Sequence, residues 1–75
     1  MDEEALNLSV RKFLKKVGVT AQREIEGAFR EAVARGQMAS EDAFMARATI
    51  EVAAIQLTIV VEGELRLTRT GREDE

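Results

Sequence analysis

The sequence predicts an α+β fold: two N-terminal helices packed on a small antiparallel β-meander of two or three strands. Three observations carry this reading. Apolar residues recur at helical spacing through residues 3–35. Gly18 and Gly36 punctuate that stretch. From Arg47 onward apolar and polar residues alternate singly, the period of a strand with one buried face.

Residues 3–17 form the first expected helix. Leu6, Val10, Phe13, Leu14 and Val17 lie on one face. Asp2, Glu3 and Glu4 at its start and Arg11, Lys12, Lys15 and Lys16 towards its end complement the helix dipole. Gly18 is the expected stop, and Thr20 the expected N-cap of a second helix over residues 21–35. Ile25, Ala28, Phe29, Ala32 and Val33 give that helix its apolar face, and Arg35-Gly36 ends it. Residues 37–45 are ambiguous: Ser40-Glu41-Asp42 can cap one helical turn reaching Phe44 and Met45, or the segment is a loop.

In the C-terminal half Ala48, Ile50 and Val52 share one phase, and Leu57, Ile59, Leu65 and Leu67 the other. The slip between the phases requires a turn or bulge near Ala53-Ala54-Ile55. A three-residue loop, Val61-Glu62-Gly63 with a left-handed Gly63, pairs Ile59 with Leu65 and Leu57 with Leu67. A helix through residues 50–61 is the rival reading, disfavoured by its β-branched content. Residues 1–69 are expected to form a single domain and 70–75 a disordered polar tail.

Composition narrows the function classes. The chain of 75 residues has no Cys, so it has no disulfide and no thiolate ligand; it has no His, the commonest transition-metal ligand. Without those supports, a domain this small is expected to gain stability from a partner, and a homodimer is the natural form. A net charge of −3 argues against a general polyanion binder. The acidic Met1-Asp2-Glu3-Glu4 is the opposite of a secretory leader, and the most apolar stretch, Ala53 to Val61, is far too short to span a bilayer. The expected location is the cytoplasm, with no membrane partner.

Three segments carry a family resemblance. They are Asn7-Leu8-Ser9-Val10-Arg11-Lys12-Phe13-Leu14-Lys15, then Val17-Gly18-Val19-Thr20, then Gln22-Arg23-Glu24-Ile25-Glu26. A later Val61-Glu62-Gly63-Glu64-Leu65-Arg66-Leu67 adds to them. The chain resembles a family of small proteobacterial proteins of unknown function. The resemblance implies a bacterial cytosolic protein with two helices followed by a β-hairpin or meander, and supplies no functional residues.

Catalysis is not expected. No group titrates ordinarily near neutral pH, Cys and Tyr are absent, and Ser9 and Ser40 have no neighbouring base in the sequence. No cofactor and no metal are expected: Glu41-Asp42 and Glu62/Glu64 lack calcium-loop spacing and read as solvated charge. Two surfaces are candidates. The first comprises Arg11, Lys12, Lys15 and Lys16, with Arg23, Gly27 and Arg30 on the second helix; it is either a contact for phosphate or an acidic partner, or a solvated face. The second is a sheet edge at Leu57, Ile59, Val60 and Val61, which lacks Pro and needs cover. The leading function is a non-catalytic protein-interaction module binding itself or another protein. The alternative is a winged-helix-like nucleic-acid binder, because helix, Gly-Val-Thr and helix outline a helix-turn-helix. Against it, the second helix balances Arg23, Arg30 and Arg35 with Glu24, Glu26 and Glu31.

Overall fold

Asp2 opens the first element. Its Oδ1 accepts from the backbone N–H groups of Glu4 and Ala5, both at 3.1 Å, satisfying two of the donors a helix N-terminus leaves free. The computed structural model describes residues 1–37 and 42–68. The chain divides into two compact units, Met1–Ala39 and Ser40–Glu75.

The first unit is one helix, α1 (Glu3–Ala34), of 32 residues. At 1.5 Å per residue it runs about 48 Å. The expectation of two helices is corrected here. Gly18, Val19 and Thr20 lie inside α1, so Gly18 is not a stop and Thr20 is not an N-cap. The physical reason is phase. Val17, Ala21, Ile25, Ala28 and Ala32 continue one helical stripe across the supposed break. Gly, Val and Thr each cost at most about 1 kcal/mol in a helix interior, and no Pro is present to remove a hydrogen bond. A Gly ends a helix when it turns left-handed, and Gly18 has no positive φ.

Gly36 does turn, at φ 75°. Around it the Gln37 N–H donates to the Ala32 carbonyl and the Gly36 N–H to the Val33 carbonyl, both at 3.0 Å. This pair of bonds is the Schellman closure, with Arg35 as C-cap. The predicted end at Arg35-Gly36 is therefore observed.

The second unit is a hairpin of β1 (Ala43–Val52) and β2 (Leu57–Arg66), antiparallel and in continuous register from Ala43 opposite Arg66 to Val52 opposite Leu57. The Leu67 N–H extends the ladder by donating to the Asp42 carbonyl at 2.9 Å, and the Thr68 hydroxyl bonds to the Asp42 carboxylate. The strands join through a short 3₁₀ turn, Ala53–Ile55, closed by the Gln56 N–H donating to the Ala53 carbonyl at 3.1 Å. Gln56 itself is left-handed, at φ 53° and ψ 42°.

The turn expected near Ala53-Ala54-Ile55 is thus the hairpin loop. Its four residues explain the phase slip. Even positions of β1 face odd positions of β2, so the apolar phase must change parity across the loop.

Two further expectations change, the loop at residues 61–63 and the start of the first strand, and two alternatives left open resolve. The loop at Val61-Glu62-Gly63 does not form: these residues are interior to β2, and Ile59 faces Ile50 while Leu65 faces Phe44. Of the two or three strands expected, the described sheet has two. The rival helix through residues 50–61 does not form beyond the short turn, as the β-branched content favours. The first strand starts at Ala43, before Arg47, so Phe44 and Met45 are in β1 and not in a helical turn; Ser40 and Glu41 lie outside the described residues, as does the tail 70–75.

Candidate functional site

The register sorts the hairpin into two unlike faces. On one lie Phe44, Ala46, Ala48, Ile50 and Val52 of β1 with Leu65, Gly63, Val61, Ile59 and Leu57 of β2 directly opposite them. Every side chain on that face is apolar or absent. On the other lie Met45, Arg47, Thr49 and Glu51, opposite Glu64, Glu62, Val60 and Thr58. There the Arg47 Nε stands 3.2 Å from the Glu62 Oε2, and the Arg66 Nε 3.5 Å from the Glu64 Oε1.

The predicted sheet-edge set divides between these faces. Leu57, Ile59 and Val61 are on the apolar face, 40, 41 and 56% exposed; Val60 is on the charged face opposite Thr49. Among the described residues none is buried. The sequence shows the alternation of Ala48, Ile50 and Val52 but leaves Phe44 in an ambiguous segment, so it does not reveal the full apolar face.

The cationic set lies wholly on α1, and joining the helices regroups it. Positions 12, 16, 19, 23, 27, 30 and 34 follow one line along a helix. Here they are Lys12, Lys16, Val19, Arg23, Gly27, Arg30 and Ala34, with no carboxylate among them. From Lys12 to Arg30 the line spans about 27 Å. Glu26 borders it, with its Oε2 accepting from Gln22 Nε2 at 3.0 Å. Arg11 and Lys15 sit on a neighbouring line. None of these six cations forms an ion pair among the described residues. A β-carbon at Gly27 would meet nothing within 4 Å, so no close neighbour requires that glycine.

The helix-turn-helix outline is overturned by the continuity of α1: no turn separates a first helix from a recognition helix. Ser9 donates its hydroxyl to the Leu6 carbonyl at 3.0 Å, a local bond within the helix, and Ser40 lies outside the described residues. Among the described residues no group of three or more carboxylates could hold a metal ion. No helix of the described residues is long and apolar enough to cross a membrane.

A family model described as "Family of unknown function (DUF6494)" matches residues 1–68. No curated protein and no solved structure matches the chain. The chain belongs to this family of unknown function.

Proposed function

We propose that this member of the DUF6494 family is a non-catalytic protein-interaction module that works as a homodimer. The single observation carrying the reading is the hairpin's ten-position apolar face in a chain where no described residue is buried. A two-stranded hairpin is at best marginal alone in water. Apolar burial contributes about 25 cal/mol per Å², so a two-stranded hairpin gains stability from a partner that extends its sheet or covers that face. The chain has neither Cys nor His with which to substitute a disulfide or a thiolate or imidazole metal site. The same inventory supports the non-catalytic part of the proposal, as does the local hydrogen bond of Ser9. A reducing, cytoplasmic setting suits a chain without cysteine.

Sedimentation equilibrium on the full chain tests this, read by interference optics because the chain has no Trp or Tyr. The expected result is a dimer at micromolar concentration that weakens with salt far less steeply than phosphate contacts would. A monomer throughout the accessible range would remove the homodimeric reading.

A second reading rests on the carboxylate-free line Lys12, Lys16, Arg23 and Arg30: a contact to a nucleic-acid backbone, without the winged-helix geometry. Phosphate contacts weaken steeply with salt. Amide-shift titration with duplex DNA and single-stranded RNA at two salt concentrations tests it. Salt-sensitive shifts along that line would support it, and the absence of shifts at low salt would exclude it.

A further inference from the structure

We infer that two copies join through the free edge of β1, running antiparallel about a two-fold axis at Thr49, to make a four-stranded sheet in the order β2, β1, β1, β2. The inference rests on the homodimeric reading and places the contact at a strand edge, which sets the two apolar faces side by side in one sheet without covering them. Among the described residues each strand of the sheet has one edge without a strand partner, and such an edge is a template for pairing. β1 is ten residues long and contains no Pro. An isologous edge pairing must keep the apolar face continuous, so only registers that oppose residues of like parity are allowed.

Charge then selects among them. Arg47 and Glu51 are the only charged residues of β1, and both lie on the polar face. One register sets Arg47 of each copy against Glu51 of the other. It places Thr49 opposite itself, a favourable cross-strand pair. The registers centred on Arg47 or Glu51 oppose like charges, and those centred on Ala48 or Ile50 leave both charges unmatched. Within its own chain Glu51 faces Thr58 and makes no ion pair among the described residues, while Arg47 already meets Glu62. The dimer therefore completes a row of alternating charge: Glu62, Arg47, then Glu51 of the second copy.

The apolar face fits the same register. Ala48 comes beside Ile50 of the second copy, and Ala46, which faces Gly63 in its own hairpin, comes beside Val52. Small residues of one copy thus adjoin large residues of the other. The β2 edge offers no such match along its length: the register opposing Glu62 to Arg66 sets Glu64 against itself, and the one opposing Glu64 to Arg66 is centred on Leu65 at the strand's end and overlaps only Glu64 to Arg66.

The test is made on the full chain. Thr49→Cys is expected to give a disulfide-linked dimer on mild oxidation, and Val60→Cys, the corresponding probe of the β2 edge, is expected to stay uncrosslinked. Glu51→Arg opposes two pairs of like charges across the axis and is expected to raise the dimer dissociation constant more than about tenfold. Mixing it with the double variant R47E/E62R, which keeps the intrachain pair in reversed order, is expected to restore a heterodimer. If the wild-type chain is dimeric but Val60→Cys crosslinks and Thr49→Cys does not, or Glu51→Arg leaves the dimer intact, the β1 edge is wrong and the homodimeric reading stands. If the wild-type chain is monomeric, both fail together.

Discussion

Arg47 of β1 and Glu62 of β2 stand directly opposite each other, joined by a guanidinium–carboxylate hydrogen bond of 3.2 Å. Both side chains keep more than half of their surface in water, 68 and 51%. Such exposed pairs couple by about 0.2–1 kcal/mol. A double-mutant cycle with Arg47→Ala and Glu62→Ala, read by thermal unfolding at fixed protein concentration, should return a coupling in that range and smaller at high salt. A coupling above about 3 kcal/mol, the size associated with breaking a buried pair, would mean that this face is buried in the folded form.

The glycines of α1 and its cap should respond in opposite directions. Gly18 is helical, and a β-carbon there meets nothing within 4 Å, so Gly18→Ala should stabilise by about 0.8–1 kcal/mol. Gly36 is left-handed at φ 75°, so Gly36→Ala should destabilise by about 1 kcal/mol. Circular dichroism melts distinguish the two. Destabilisation by Gly18→Ala would restore the helix break that the sequence pattern first suggested.

Ile59 and Val60 are adjacent but face opposite sides of the hairpin. Ile59→Lys removes the apolar partner that faces Ile50 and should destabilise the hairpin by about 1 kcal/mol. Val60→Lys lies on the charged face and should change stability by no more than about 0.5 kcal/mol. Equal effects on the thermal melt would contradict the assignment of faces.

Gln56 holds a left-handed conformation that costs a side-chain-bearing residue about 1 kcal/mol relative to Gly. Gln56→Gly should therefore stabilise the hairpin, seen as a higher melting temperature. A lower one would show that the Gln56 side chain makes a contact outweighing the strain.

Several features follow from the sequence alone, because they depend on residues near each other in the chain. The helical period of residues 3–34, the stop at Arg35-Gly36, the alternation of both strands and the turn near Ala53 to Ile55 are all of this kind. So is the location of the cationic residues on helix. The N-cap role of Asp2 was also legible, as an Asp just before the first helical residue.

Two features required the three-dimensional structure. Whether Gly18-Val19-Thr20 breaks the helix turns on a balance of about 1 kcal/mol per residue between weak propensity and an uninterrupted apolar stripe, and a sequence pattern does not weigh that balance. Which strand pairs with which was hidden by parity. Leu57, Ile59, Val61, Gly63 and Leu65 are all odd-numbered, a pattern that one continuous strand and two strands joined by a three-residue loop satisfy equally. Pairing with β1 settles it, because a continuous β2 gives Phe44, Ala46, Ala48, Ile50 and Val52 an apolar partner at every position, an agreement between distant segments that exists only once the chain has folded back.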